Sequence, residues 1–388
     1  MRKISVFGAT GTIGDNTLDL VSRHPDKFDV HVLTAHENVE KLVGLARVHM
    51  PSRVVVSNGE HQQALAAALA DLPIKVEAGA AALVDAASEP VDLVVMGIVG
   101  FAALAPSLAA VRHAEAVALA NKECLVVSGA MLMDLAARHA TRLLPVDSEH
   151  NGIFQLLDGR PADTPSKIVL TASGGPFREM AAHEMAHVTP EMAVAHPNWT
   201  MGAKISVDSA TLMNKGLELI EARIFFDIDP GLLDVIVHPQ SIVHAFVHFC
   251  DGSVFAHMAT PDMRIPLAHC LGFPERLDHG AVALDLAAIG ALNFEPVDRA
   301  RFPCLVHAER AMNVGGIYPT VLNAANEVAV AGFLAGQLKF TDIADMVARA
   351  LDAEAELVAP FDPSELDGLA SCDKKTRHFC SELIKDVS

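Results

Sequence analysis

Two carboxylates, Asp147 and Glu149, follow directly after the apolar run Leu143–Val146, which is typical of a buried strand. Successive strand residues project to opposite faces, so these two side chains, two positions apart, are predicted to share a face. Their hard oxygens suit Mg²⁺ or Mn²⁺ and leave coordination positions for water or substrate. The other interpretation is a helix N-cap formed by Asp147 and Ser148, because both residue types are good caps. This segment alone favours neither interpretation.

A second group consists of Asn214, Lys215 and Glu218, in a stretch that is predicted to be helical from about Ser209. Spacings of three and four residues place the amide and the ammonium on the same helix face as the carboxylate. Such a face offers one metal ligand together with donors for a phosphate. An ordinary exposed Lys–Glu pair is the commoner origin of this pattern, so the spacing by itself does not decide.

A glycine-spaced turn, Gly8-Ala9-Thr10-Gly11-Thr12-Ile13-Gly14, follows the run Lys3–Phe7 and precedes a predicted helix. A strand, a glycine turn and a helix place backbone N–H groups and a helix N-terminus under a pyrophosphate. Glycine is needed where a Cβ would hold the phosphate away. A purely structural turn is the alternative, but a position that opens a βαβ unit favours nucleotide binding.

The turn after the second predicted strand, Ala35-His36-Glu37-Asn38, bears on the choice of cofactor. An acidic residue at this place usually binds a ribose 2′-hydroxyl, whereas a 2′-phosphate requires a basic partner. Taken alone, Glu37 therefore favours NADH.

Three further polar segments accompany these groups. Ser173-Gly174-Gly175-Pro176-Phe177 follows a predicted strand, and Lys122 directly follows another. Lys122 could reach a ligand at that sheet edge, although Asn121 could equally cap the next helix. The loop His196–Gly202 contains the chain's one tryptophan, Trp199. It is interpreted either as a lid that excludes water when ligand binds or as a surface loop with Trp199 folded back on the core.

The segment His183-Glu184-Met185-Ala186-His187 matches H-E-x-x-H, the zinc-protease helix motif. The chain has 19 histidines, so a chance match is not rare. The motif is closed by Thr189-Pro190, and Ala193 stands where the third histidine of the extended motif would be. We therefore interpret it as incidental.

Short β-branched runs alternate with Ala/Leu-rich stretches over the first ~150 residues, which predicts a parallel sheet with crossover helices. The runs are Lys3–Phe7, Val30–Thr34, Arg53–Val56, Asp92–Val95, Ala116–Leu119 and Leu143–Val146. The rhythm changes from about Asn151. A strand is predicted at Lys167–Ala172, antiparallel-looking strands at Val235–His238, Ile242–Phe249 and Ser253–Met258, and a helical tail from Val321.

Composition narrows the class of protein. A length of 388 residues predicts two or three domains, and a formal net charge of −19 argues against a broad nucleic-acid surface. The six scattered cysteines form no C-x-x-C pair, which favours reduced thiols in a cytosol. Lys3 leads straight into a strand, so no export signal is predicted. Leu93–Val111 is uncharged, but Gly97, Gly100 and Pro106 favour a buried strand, a turn and a helix over a membrane span.

Taken together, these segments resemble the 1-deoxy-D-xylulose 5-phosphate reductoisomerase family. The resemblance spans nearly the whole chain, in order. It rests on the Gly8–Gly14 loop, Ala120-Asn121-Lys122-Glu123, Pro145–His150, Ser173–Phe177, His196-Pro197-Asn198-Trp199, Met201-Gly202, Asn214–Glu218, Pro261-Asp262-Met263-Arg264 and Asn323-Ala324-Ala325-Asn326-Glu327.

The resemblance implies roles for individual residues. The metal ligands would be Asp147, Glu149 and Glu218, and Trp199 and Met201 would belong to the lid. Lys122 would meet the substrate near its carbonyl end. The other substrate contacts would be Ser148, Ser173, His196, Ser209, Asn214 and Lys215. The cofactor contacts would be Gly8, Thr10, Gly11, Thr12, Ile13, His36, Glu37, Asn38, Asn121, Glu123 and Gly202.

The implied reaction converts 1-deoxy-D-xylulose 5-phosphate to 2-C-methyl-D-erythritol 4-phosphate in the non-mevalonate isoprenoid pathway. A divalent cation (Mg²⁺, Mn²⁺ or Co²⁺) would assist the skeletal rearrangement, and NADPH would supply a hydride. The family commonly carries Gly and a basic residue ahead of Asn38, where this chain has His36 and Glu37. Asn38 is retained, so NADPH is predicted. The rivals are another nicotinamide-dependent dehydrogenase without need of a metal, and a non-catalytic dinucleotide sensor.

The resemblance also implies a cytoplasmic homodimer built from α/β domains. The predicted division is an NADPH-binding domain with a Rossmann-like parallel sheet, an α+β catalytic and dimerisation domain, a linker and a C-terminal helical domain. These comprise residues 1–147, 148–272, 273–302 and 303–388, with a lid loop at about 174–203.

Overall fold

A computed structural model of the chain describes residues 1–157, 165–195, 202–280, 282–353, 357, 362 and 364–387. The chain forms two compact units. Unit 1 comprises Met1–Cys124, Leu132–Asn151 and Asp262–Val282. Unit 2 comprises Leu125–Met131, Gly152–Pro261 and Ala283–Ser388.

Unit 1 is built on a seven-stranded sheet in which every pair of neighbours is parallel. Its strands are β1 (Arg2–Phe7), β2 (Phe28–Ala35), β3 (Arg53–Val56), β4 (Lys75–Ala78), β5 (Leu93–Met96), β6 (Ala116–Leu119) and β7 (Arg142–Pro145). The order is β4-β3-β2-β1-β5-β6-β7, so the winding direction reverses between β1 and β5. Open α/β sheets bind ligands at the carboxyl ends of the strands beside such a reversal.

Helices connect the strands of this sheet. They are α1 (Thr12–Arg23), α2 (Val39–His49), α3 (Gln62–Ala68), α4 (Ala80–Ala87), α5 (Leu104–His113), α6 (Lys122–His139) and α7 (Ser148–Leu157). The prediction of a parallel sheet with crossover helices is confirmed. Leu93–Val111 forms β5, a turn and most of α5, as predicted, and within the described ranges no helix is long and apolar enough to cross a membrane.

Unit 2 contains a five-stranded sheet in the order β11-β10-β8-β9-β12. The strands are β8 (Pro165–Ala172), β9 (Leu233–Val237), β10 (Val243–Phe249), β11 (Val254–Met258) and β12 (Glu295–Pro296). β10 and β11 are antiparallel to their neighbours, as predicted, but β9 runs parallel to β8. The long helical connection from β8 lets β9 return in the same direction, whereas β9 is antiparallel to its other neighbour, β12.

The helices after α7 are α8 (Pro190–Val194), α9 (Ala203–Ala210), α10 (Met213–Phe226), α11 (Arg264–Gly272), α12 (Leu286–Ile289), α13 (Pro303–Val314), α14 (Tyr318–Leu334), α15 (Asp342–Asp352) and α16 (Leu366–Val387). The helical tail is confirmed. The single helix predicted from about Ser209 is two helices, because Leu212 adopts a left-handed conformation with φ of 59°. The break turns the chain between Ala210 and Met213.

Candidate functional site

The three glycines of the first turn are constrained by their surroundings to different degrees. Gly8 has φ of +80°, and a Cβ on it would lie 2.7 Å from the carbonyl oxygen of Gly97. A Cβ on Gly14 would lie 2.4 Å from the backbone of Ala9, so this glycine lets α1 pack closely against the turn after β1. Gly11 is exposed, and a Cβ there would meet only the Gly8 oxygen at 3.6 Å. Gly8 and Gly14 are therefore fixed by packing, whereas Gly11 presents open backbone at the N-terminus of α1.

The turn between β2 and α2 lies beside this loop. Asn38 caps α2 by accepting a hydrogen bond from the Lys41 N–H at 3.1 Å. His36 and Glu37 are exposed; the His36 ring lies 3.3 Å from the Glu37 carboxylate and bonds the Ser57 hydroxyl at 2.6 Å. Lys41, which the sequence pattern did not single out, lies in the first turn of α2.

Asn121 and Lys122 follow β6 at the same edge of the sheet. The Asn121 side chain caps α6 by accepting from the Cys124 N–H at 2.7 Å, so the capping interpretation is confirmed. Its amide also donates to the carbonyl of Ile98 at 2.6 Å, which ties the start of α6 to the turn after β5. Lys122 is buried and forms an ion pair with Asp147 at 2.7 Å. Glu123, beside it, is half-buried.

Asp147 and Glu149 do not lie on a strand. β7 ends at Pro145 and α7 begins at Ser148, so Glu149 belongs to the first turn of a helix and the argument from strand alternation was wrong. The pairing nevertheless holds, because carboxylate oxygens of the two residues lie within 4.8 Å of each other. Ser148 donates to Glu149 at 2.5 Å, and both carboxylates are half-buried. Two oxygen ligands with partial exposure fit a hard divalent cation.

In unit 2, α10 carries the other polar group. Asn214 donates to one oxygen of Glu218, and Lys215 forms an ion pair with the other oxygen, so the predicted shared face is confirmed. Lys215 is 4% exposed and Glu218 is 1% exposed. This is not the exposed Lys–Glu pair that the spacing alone favours. A buried carboxylate and a buried ammonium on one face are costly to desolvate, which is a common feature of functional sites.

The Ser173 turn lies against the end of α9. Gly174 and Gly175 have φ values of +84° and +67°, and the Gly175 N–H donates to the Ser173 hydroxyl at 3.2 Å. A Cβ on Gly175 would lie 2.7 Å from the carbonyl oxygen of Ser209. The tight turn therefore brings two predicted substrate contacts, Ser173 and Ser209, into neighbouring positions within unit 2.

Part of the predicted lid lies outside the described residues, namely His196, Trp199 and Met201. Gly202 is described and precedes the first residue of α9. The H-E-x-x-H segment forms turns and a short 3-10 helix at Met185–His187. Because it is not α-helical, it does not present His183 and His187 on one helix face in the way a zinc protease requires.

Comparison with known proteins gives the following similarities. Three family models match: "1-deoxy-D-xylulose 5-phosphate reductoisomerase" over residues 4–129, the "1-deoxy-D-xylulose 5-phosphate reductoisomerase C-terminal domain" over 143–226, and the "DXP reductoisomerase C-terminal domain" over 258–379. The 1-deoxy-D-xylulose 5-phosphate reductoisomerase of Laribacter hongkongensis is 51% identical, covering 98% of this chain and 99% of its own. That of Ralstonia nicotianae is 50% identical, covering 99% and 98%.

Solved structures of reductoisomerases are also similar to this chain. The reductoisomerase from Zymomonas mobilis in complex with NADPH matches with a TM-score of 0.93 and 44% identity, covering 99% of both chains. A DOX-P reductoisomerase in complex with NADPH, fosmidomycin and magnesium matches with a TM-score of 0.94 and 39% identity, covering 99% of this chain and 98% of that one.

Proposed function

This chain belongs to the 1-deoxy-D-xylulose 5-phosphate reductoisomerase family, and we propose that it converts 1-deoxy-D-xylulose 5-phosphate to 2-C-methyl-D-erythritol 4-phosphate. The observation that carries the proposal is the pair Asp147 and Glu149 at the carboxyl edge of the parallel sheet, inside a chain 51% identical to a named family member. The enzyme is an NADPH-dependent oxidoreductase.

NADPH is proposed to bind at the carboxyl edge of the unit 1 sheet. Gly11 presents the open N-terminus of α1 to the pyrophosphate, and the neighbouring contacts are Gly8, Thr10, Thr12 and Ile13. The remaining proposed cofactor contacts are His36, Glu37, Asn38, Asn121, Glu123 and Gly202. When bound, NADPH supplies the hydride that reduces the rearranged carbon skeleton.

The divalent cation is proposed to be held by Asp147, Glu149 and Glu218. Hard carboxylate oxygens and the half-buried positions of the first two residues support Mg²⁺, Mn²⁺ or Co²⁺. The cation supplies a Lewis acid that polarises the oxygens of the ketose. Lys122 keeps its ammonium at the Asp147 carboxylate, 2.7 Å away, and is proposed to meet the substrate near its carbonyl end.

The substrate phosphate is proposed to bind where the Ser173 turn meets α9. Ser173 and Ser209 offer hydroxyl donors there, and Asn214 and Lys215 offer an amide and a buried ammonium. A charged donor in a place with little water binds a phosphate more strongly than the same donor in bulk solvent. Ser148, His196, Trp199 and Met201 complete the proposed substrate contacts and the lid, which would exclude water from the reacting fragments.

The proposed organisation follows from the same resemblance. Residues 1–147 would bind NADPH, 148–272 would carry catalysis and dimerisation, 273–302 would link, and 303–388 would form the helical domain. A homodimer is supported by the edge strand β11, where Val254 and Phe255 are 47% and 41% exposed. A cytoplasmic location is supported by six cysteines that are not joined in disulfides.

The test is NADPH oxidation, followed by absorbance, with 1-deoxy-D-xylulose 5-phosphate and Mn²⁺. We expect turnover by the wild type that is abolished by chelation of the metal. Glu218→Gln removes a proposed ligand charge, so kcat should fall by at least about a hundredfold while NADPH binding persists. Glu382→Gln, an exposed change on α16, is the matched control and should retain full activity. A wild type that binds NADPH but leaves this substrate unchanged would contradict the proposal.

A further inference from the structure

The turn after β2 presents a conflict between sequence and cofactor. An exposed acidic residue, Glu37, stands where an acidic side chain usually accepts from a ribose 2′-hydroxyl. A carboxylate at that place repels the 2′-phosphate that distinguishes NADPH from NADH. Some cation must therefore offset Glu37 if NADPH is the cofactor. Between Ala35 and Lys41 the one side chain with a permanent positive charge is that of Lys41.

Lys41 lies in the first turn of α2 and reaches across to the glycine loop. Its ammonium donates to the carbonyl of Thr10 at 3.0 Å and to the carboxylate of Asp15 at 2.6 Å. These contacts join the β1–α1 turn to the start of α2, the two segments that flank the adenosine half of a dinucleotide in this fold. Lys41 is half-buried, with 36% of its side chain exposed, so it faces solvent from the binding edge.

The ammonium has bonding capacity to spare. A lysine ammonium carries three N–H donors, and the contacts to Thr10 and Asp15 use two of them. Asp15 is 47% exposed, so its charge is partly screened by water. A phosphate carries more charge than a carboxylate and competes effectively for the same ammonium. Lys41 is thus held at the glycine loop by two acceptors, and its partial exposure leaves its third N–H accessible to a ligand.

We propose that Lys41 determines the preference for NADPH over NADH, by donating to the adenosine 2′-phosphate from its place beside Thr10. The proposal rests on the cofactor assigned in the proposed function and adds the residue that selects it. Glu37 remains a proposed cofactor contact beside the His36 ring at 3.3 Å, but it does not select NADPH over NADH.

The test separates the 2′-phosphate from the rest of the cofactor by using 2′,5′-ADP and 5′-AMP as paired probes. Their dissociation constants, and those of NADPH and NADH, are measured by calorimetry on the full-length protein without substrate. Lys41→Met should weaken 2′,5′-ADP and NADPH by roughly 10- to 100-fold, the range expected for one charge-assisted hydrogen bond. It should change 5′-AMP and NADH by less than about twofold, and Lys41→Arg should restore most of the loss.

Arg47→Met is the matched control. Arg47 lies on the same helix and is paired with Asp71 at 2.8 Å, away from the glycine loop, so all four constants should match those of the wild type.

Two results would overturn the proposal: no effect of Lys41→Met, or an equal loss of 5′-AMP and 2′,5′-ADP. An equal loss would mean that Lys41 only positions the loop. Failure of the proposed function looks different, since the wild type would then bind NADPH normally without turning over the ketose phosphate.

Discussion

At the scale of single residues, Arg53 on β3 is a buried cation that pairs with several carboxylates. Its side chain is 3% exposed and contacts three carboxylates, with Glu89 and Asp85 each at 2.7 Å and Glu77 at 2.5 Å. The hydrogen bond from Arg53 lowers the pKa of Asp85. Burial alone would raise the pKa of Glu89, but hydrogen bonds from Arg53 and His31 outweigh it and lower that pKa as well.

These shifts predict how stability depends on pH. Carboxyl groups whose folded pKa is depressed stabilise the fold fully above their unfolded values of about 4, and the contribution is lost as pH falls through the lower folded values. We therefore expect urea midpoints to decline on acidification below about pH 5. Arg53→Met should lower the free energy of unfolding at neutral pH by roughly 1–3 kcal/mol, because three neighbouring, partly exposed carboxylates would lose the cation that they share.

The same variant should also flatten the acid slope, since Asp85 and Glu89 would then titrate near their ordinary values. Arg310→Met is a suitable control, because Arg310 and Asp352 form an exposed pair at 2.6 Å that should contribute less than about 1 kcal/mol. An unchanged slope in Arg53→Met would show that other groups govern acid unfolding.

At the scale of elements, the turn between β1 and α1 separates structural from binding glycines. Gly14→Ala places a Cβ 2.4 Å from the Ala9 backbone and should destabilise the protein by roughly 1–3 kcal/mol. Gly11→Ala places a Cβ in ordinary van der Waals contact with the Gly8 oxygen at 3.6 Å, and the φ of −90° at Gly11 suits alanine. Its free energy of unfolding should change by less than about 0.5 kcal/mol, whereas NADPH binding should weaken by roughly tenfold.

Thermal unfolding and NADPH calorimetry on the two variants measure these effects separately. If Gly11→Ala binds NADPH as the wild type does, the pyrophosphate does not lie over this part of the loop. If Gly14→Ala is as stable as the wild type, the close approach of α1 to the backbone of Ala9 must relax at little cost.

Strands with apolar runs could be predicted from the sequence, because buried parallel strands are locally apolar. Arg53–Val56 and Ala116–Leu119 coincide with the observed β3 and β6. β4 was missed because Lys75 and Glu77 give it no apolar signal, in keeping with its place at the sheet edge. The break at Leu212 could not be predicted either, since a left-handed leucine is disfavoured locally and is retained by tertiary packing.

The candidate site shows the same limit. Helical spacing sufficed to place Lys215 beside Glu218, but it could not show that both are buried. Burial depends on tertiary packing, and α10 packs closely against a segment distant in sequence, since a Cβ on Gly216 would lie 2.3 Å from the Cβ of Ala308 on α13. Likewise, the interaction of Lys41 with Thr10 joins residues 31 positions apart, which no local pattern encodes.

At the scale of the whole molecule, the cysteines differ in burial and therefore in reactivity. Five of the six are buried: Cys124, Cys270, Cys304, Cys372 and Cys380. Burial raises the pKa of Cys270, Cys304 and Cys380 to about 12 and that of Cys372 to about 11. These thiols pack as small apolar side chains and are almost wholly protonated at neutral pH.

A thiol reagent should therefore react readily with one cysteine of the native chain, Cys250, which is exposed on the turn between β10 and β11. With an aromatic disulfide reagent at mildly alkaline pH, we expect one fast equivalent per chain and six after unfolding in guanidinium, because attack requires an accessible thiolate. Cys250→Ser should abolish the fast phase and leave turnover unchanged. More than one fast equivalent in the native wild type would mean that a helix or strand covering the buried thiols opens far more readily than its packing suggests.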